Sequence, residues 1–323
     1  VVAAPVDAVT LQFTYPGAAF TFGAAYTGLL FLDTSPFTIS LADQARSNAD
    51  TELFGSRRLL GSARLDLPRI FGQSLALSAI VQDDLNNRSD FVATGSTSFD
   101  ANKGGALNTQ YFGLSVGGSI SSLTYGTFFT YGTGRILSWL PDSLAPAGHS
   151  YQTAPISSFL TGLSLQYPLA SLNTSLGLRV LFASGDADAT GPVEGNAAST
   201  YKRFTPLTRS SLGLVFSPYL ANLVFIEASA SEKDLLLPGL SGSLKLMTFL
   251  RPTAGPISEP GLEPGSSAAY LGSEVDITAF YGIYTDLDVS CTIGAFLPGG
   301  AFDSGYAGTK FQMAATLAIT LHM

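Results

Sequence analysis

Thr309-Lys-Phe-Gln-Met-Ala-Ala-Thr-Leu-Ala-Ile-Thr-Leu-His-Met323 closes the chain and decides its fold class. Phe311, Met313, Ala315, Leu317, Ile319, Leu321 and Met323 alternate with Lys310, Gln312, Ala314, Thr316, Ala318, Thr320 and His322. Successive side chains of a strand point to opposite faces, so this segment has one apolar face and one small or polar face. Its C-terminal position, and its recurrence along the chain, give it the pattern of the closing strand of an outer-membrane β-barrel.

Working back from that strand, around fifteen segments alternate in the same way. The cleanest sets Leu172, Thr174, Leu176, Leu178, Val180 and Phe182 against Asn173, Ser175, Gly177 and Arg179. Others include Phe37–Leu41, Ser211–Ser217 and Tyr219–Ser229. Short turns near Pro68–Phe71, Ser119–Ser121, Pro168–Ala170, Pro218 and Gly282–Thr285 contrast with long links over Ala42–Arg58, Asp84–Ala106, Gly132–Pro155 and Ser184–Thr205. Short periplasmic turns and long external loops are the habit of outer-membrane barrels. With both termini on one side the strand number is even, so the expectation is one all-β domain over 1–323, an antiparallel up-and-down barrel of about 14 strands, with 16 next.

Composition agrees. The chain is 46% hydrophobic but only 12% charged, against about 25% in soluble domains, so something other than water faces much of its surface. No run approaches the ~20 apolar residues of a membrane helix, and only helices or closed barrels satisfy the backbone in lipid. The faces opposite the apolar stripes are mostly Gly, Ser, Thr, Asn and Gln. Such side chains do not fill a close-packed core, which argues against a soluble sandwich, and no fixed period supports a β-solenoid. The polar face therefore reads as a water-filled lumen and the apolar face as the lipid band. A net charge of −8 argues against nucleic acid as partner. Cys291, the single cysteine, forms no intrachain disulfide. The start at Val1 reads as a mature chain after removal of an export signal.

On the lumen parity the charged positions are Arg64, Arg179, Arg209, Lys245 and Lys310, and Asp66, Glu274, Asp276, Asp286 and Asp288. An Arg or Lys facing lipid at mid-bilayer costs about 2–4 kcal/mol, so these belong inside. Glu274, Asp276, Asp286 and Asp288 lie on two consecutive segments and are expected to share one wall toward the periplasmic end. Opposed acidic and basic walls screen solutes by charge; the alternative is that these groups simply pair with one another.

Catalytic patterns are weak. His149 and His322 are the only histidines, and adjacent His149–Ser150 lacks triad geometry, so no enzyme activity is expected. Histidine and cysteine show no metal-ligand spacing, and Gly104–Gly105 and Gly299–Gly300 lack the following helix of a phosphate cradle. Asp186, Asp188 and Glu194 form an acidic loop with oxygens suited to calcium, or else a solvated loop. Neither a cofactor nor a metal is expected. Tyr15, Tyr125, Tyr131, Tyr167 and Tyr219 near segment ends suit an interfacial girdle.

Tyr270-Leu-Gly-Ser-Glu-Val-Asp276, then Tyr281, and Ala295-Phe-Leu-Pro-Gly-Gly-Ala-Phe302 resemble the end of the alginate-export family of outer-membrane porins. That family tends to show a Leu-Gly-Thr-Glu-x-Asp strand, a tight turn, and a strand ending in an aromatic followed by Pro-Gly. The resemblance implies a barrel that passes small or anionic solutes. Outer-membrane barrels commonly end in an aromatic read by the barrel-assembly machinery; here Leu321 and Met323 stand in that register. The functional expectation is an outer-membrane channel for passive diffusion of ions or small polar solutes. The alternative is a plugged barrel that anchors a surface assembly through its loops, and a homo-oligomer fits either.

Overall fold

The computed structural model describes residues 8–29, 57–85, 107–189, 200–208, 210–259, 261–263, 266–284, 286–302 and 310–321. Alternation of β-branched, aromatic and small residues produces, among the described residues, thirteen strands in a single sheet, in sequence order and each antiparallel to the next. They are β1 (Ala8–Tyr15), β2 (Ala18–Tyr26), β3 (Arg58–Ile70), β4 (Gln73–Asp84), β5 (Leu107–Ile120), β6 (Leu123–Pro141) and β7 (His149–Leu169). Then follow β8 (Thr174–Ala183), β9 (Leu223–Glu232), β10 (Leu240–Leu250), β11 (Tyr270–Tyr284), β12 (Leu287–Pro298) and β13 (Gln312–Leu321). No helix is long and apolar enough to cross a membrane among the described residues.

Connections alternate as the sequence implies. Tight turns join β1 to β2, β3 to β4, β5 to β6 and β7 to β8; the Phe71–Gly72 pair has φ of 52° and 81°, the left-handed pair of a two-residue hairpin. Long links occupy the other end. Among the described residues β1 and β13 are the sheet's edges and are not joined by hydrogen bonds. The thirteen described strands leave β1 and β13 running in the same direction, so Ala8 and Leu321 lie at opposite ends of the sheet.

Two expectations about segments change. Ser211–Ser217 is not a strand: it is an irregular stretch that lies inside the sheet's curl. The Gly132–Pro155 link is largely absent, because β6 and β7 continue past their neighbours as a hairpin paired up to Pro141 opposite His149. Trp139 holds that hairpin, stacked on His149 at 6.0 Å and tilted against its cross-strand partner Tyr151 at 4.9 Å. Phe37–Leu41 lies outside the described residues.

The outward half of the face assignment holds. Leu11, Phe13, Phe22, Leu77, Phe112, Phe129, Phe159, Leu163, Leu178, Leu246, Ile277, Ile293 and Leu317 are exposed on the outer face. Phe159 stacks between Phe129 and Phe182 there, at 6.1 and 5.4 Å. Large apolar side chains facing outward on strand after strand make a belt suited to lipid.

Candidate functional site: the lumen

The two halves of the lumen differ. Toward the tight turns the inward positions are small and polar. Thr124, Gly126, Ser164, Gln166, Gly177 and Ser229 line a space of about 330 Å³ there. Toward the long links the inward positions turn apolar: Leu60, Tyr111, Leu160, Leu181, Phe225, Met247, Phe249 and Phe296 are buried. A wholly polar, water-filled lumen is therefore not what forms.

The β8–β9 link covers that apolar half. Its Phe204, Leu207, Leu212, Phe216 and Leu220 are buried against the strands. Phe216 stacks on Phe296 at 4.5 Å and meets Phe249 edge-on at 5.0 Å, while Phe204 meets Tyr111 at 5.8 Å. One segment thus touches β5 on one side and β10 and β12 on the other, which requires the sheet to curl around it. Each end of the segment is fixed. Tyr201 exchanges backbone bonds with Pro155 and Ser157 on β7, and the Asn222 amide donates to the carbonyls of Thr253, Gly255 and Pro256.

Glu274 and Asp276 hold its middle. Successive same-face positions on β11 aim both carboxylates inward. Glu274 accepts the N–H groups of Val215 at 2.7 Å and Phe216 at 2.8 Å, and Asp276 accepts that of Leu214 at 3.2 Å. Glu274 is 1% exposed, so these charge-assisted bonds are its solvation. Glycines clear the approach: a Cβ at Gly213 would sit 2.6 Å from a Glu274 oxygen, and one at Gly294 would sit 2.6 Å from Asp276 Oδ1.

Beside this segment lies a cavity of about 880 Å³, bounded by β3 to β8 and by Phe204, Leu207, Thr208, Ser210 and Leu220 of the segment. Half of its lining residues are Ser, Thr and Gly; most of the others are apolar, among them Tyr111, Phe128, Leu160, Leu181 and Phe204, with Arg64 and Arg179 as charged members. Arg64 forks onto Asp66, with Nη2 at 2.7 Å from Oδ1 and Nε at 2.9 Å from Oδ2. Arg179 donates to Glu227 across β8–β9 at 2.8 Å and lies 4.9 Å over the Phe225 ring, while its Nε has no protein partner. Each cavity arginine therefore carries its own counter-charge.

The other sequence-selected residues are dispersed. Lys245 faces Asp276 in the β10–β11 register. Asp286 and Asp288 lie at the β11–β12 turn, with Asp288 opposite Gly282. Asp276 pairs with Gly294, placing it about 20 Å along β12 from Asp288 at ~3.4 Å per residue. The four acids do not share one site, and Glu274 and Asp276 sit toward the long-link end rather than the turn end. Lys310 is exposed just before β13, Leu321 lies on the outer face, and Arg209 and Met323 fall outside the described residues.

Ser150 donates to Asp142 at 2.7 Å rather than engaging His149. Asp186 accepts the Lys202 N–H at 2.8 Å; burial, with Asp188 beside it, pushes its carboxyl up to about 6. Glu194 lies outside the described residues, and no group of three metal-ligating side chains occurs among the described ones. Tyr219 belongs to the inward segment, not to a girdle, its N–H bonded to Ser258 at 2.8 Å.

A thirteen-strand up-and-down sheet with a lipid-type belt outside and a lined lumen inside leaves little choice of class. The fold is that of outer-membrane β-barrels. OccK5 (OpdH) of Pseudomonas aeruginosa superposes with a TM-score of 0.51 at 12% identity, over 97% of this chain and 69% of that one. OccK11 (OpdR) of the same organism gives 0.52 at 13%, over 97% and 68%. No family model and no curated protein matches the chain. At such identities the likeness carries the fold; fold and belt together place the chain in an outer membrane.

Proposed function

We propose that the chain is a passive outer-membrane channel for ions or small polar solutes, narrowed by the Tyr201–Asn222 segment. The observation that carries this reading is the tether of residues 214–216 to Glu274 and Asp276, which holds the segment to one wall and leaves a cavity of about 880 Å³, with a mixed polar and apolar wall, beside it. Solutes would meet Arg64 and Arg179, each already balanced by a carboxylate, so discrimination rests on size and hydrogen bonding as much as on charge. This suits a polyanion such as alginate poorly, although the Tyr270–Phe302 resemblance to alginate exporters accords with a porin role. Leu321 and Met323 would serve as the signal read by the barrel-assembly machinery.

The rival reading is a plug that seals the lumen, favoured by the aromatic packing of Phe216. Single-channel recording of the refolded protein in a planar bilayer under a salt gradient separates the two. Steady conductance with weak ion preference is expected. A folded, heat-modifiable but silent protein would leave the sealed barrel as the account.

A further inference from the structure

The end of the sheet that carries the tight turns bears large apolar side chains at its tips. Phe71 is 98% exposed in the β3–β4 turn and Leu236 81% exposed in the link between β9 and β10. Ile120, Leu172 and Tyr284 stand exposed at the β5–β6, β7–β8 and β11–β12 connections. We infer that this rim is seated in the lipid interface, so that the turns themselves contact the bilayer rather than clearing it into water.

Phe71 is the sharpest case. Its φ of 52° is a left-handed value that suits Asn, Asp or Gly and disfavours a bulky ring, while its exposure forfeits the stabilisation a buried ring provides. Asn or Asp would fill the turn better in water. The distribution points to lipid as the occupant. The apolar tips recur from β3 around to β12, as a surrounding medium requires, whereas a folded partner would cover one side. They also continue the outer belt: Leu176 and Leu178 lead toward Leu172, and Ile277 and Tyr281 toward Tyr284, all exposed. Arg69 flanks the tip at Phe71, where phosphate headgroups would accept it; Lys233, near Leu236, stands between Glu232 and Asp234 and carries no such weight.

The inference rests on the membrane reading, and one experiment separates the two. In a Trp139→Phe background, which removes the only native indole, single-tryptophan variants Phe71→Trp and Leu236→Trp are compared with Leu246→Trp on the belt and Leu144→Trp at the β6–β7 tip. Each is reconstituted in phosphatidylcholine bilayers with or without bromine on the acyl chains. The two rim variants are expected to lose roughly half their emission to brominated lipid, as an interfacial depth implies, and to resist aqueous acrylamide. Leu144→Trp should show the reverse. If the rim variants behave like Leu144→Trp while Leu246→Trp is quenched by lipid, the rim lies in water and the inference is wrong. If Leu246→Trp also escapes quenching, the membrane reading fails with it.

Discussion

Replacing Glu274 by Gln keeps the size of the side chain but removes the charge and turns one acceptor oxygen into an NH2 group. That carboxylate holds the Val215 and Phe216 N–H groups at 2.7 and 2.8 Å, so at least one bond is lost and a donor is set against a donor. A hydrogen bond to a charged group contributes about 1.5–3 kcal/mol, and a buried donor left unpaired costs about 1–3 kcal/mol more. Taking ~3 kcal/mol as the net weakening, the population of the segment released from the β11 wall rises roughly 150-fold. Packing of Phe216 against Phe249 and Phe296 remains, so release should be intermittent rather than complete. The assay is single-channel recording of Glu274→Gln beside the parent, with Asp288→Asn, a carboxylate at the far end of the barrel, as control. Expected are brief openings to a larger conductance in Glu274→Gln and none in Asp288→Asn. A correctly folded Glu274→Gln with recordings indistinguishable from the parent would refute the reasoning, because the tether would then not set the width of the passage.

Other outcomes follow from the same geometry. Arg179→Ala leaves Glu227 without its counter-charge and is expected to move the reversal potential under a salt gradient toward cation preference. Gly126 borders both the small and the large cavity, and a Cβ there would meet only Ser164 Oγ, at 3.0 Å; Gly126→Tyr should lower conductance several-fold while leaving heat-modifiable mobility unchanged. Burial, with Asp188 beside it, raises the Asp186 carboxyl to about 6 although the Lys202 N–H bond pulls the other way, so Asp186 binds its proton more tightly in the folded protein than in the unfolded chain. Its contribution to stability is therefore greatest below the ordinary value of 3.8 and falls as pH rises toward about 6. Hydrogen exchange across residues 201–208, corrected for intrinsic rates, should show less protection at pH 7.5 than at pH 4; the opposite trend would exclude this account of Asp186.

Much of the barrel was legible because a strand's period of two is written directly in residue type. Leu176, Leu178 and Val180 alternate with Gly177 and Arg179, a pattern that sets them outward and inward, and the structure keeps them so. Ser211–Ser217 failed for the same reason: Leu212, Leu214 and Phe216 alternate in an extended inward segment as they would in a strand. Two features distinguished it. Pro206 and Pro218 bracket it, and Gly213 sits where a carboxylate must approach the backbone. Parity placed Glu274 and Asp276 inside, but their partners are backbone N–H groups, which carry no mark in the sequence. Phe225, Phe249 and Phe296 share the inward parity with Glu227, Lys245 and Gly294, yet the rule that apolar faces lipid hid them. The β6–β7 hairpin was missed because Gly132 and Gly134, read as loop, are accommodated within the ladder opposite Tyr111 and Thr109.

The most direct test of the central claim, that residues 212–216 lie against the β11–β12 wall inside the barrel, is a covalent one. A Cβ at Gly294 would sit 3.0 Å from that of Leu214, close enough for a disulfide after a small adjustment. In a Cys291→Ser background, Leu214→Cys with Gly294→Cys should oxidise readily in the bilayer, and the locked channel should conduct as the reduced one does. Failure to cross-link, or loss of conductance on locking, would mean that the segment does not normally occupy that wall.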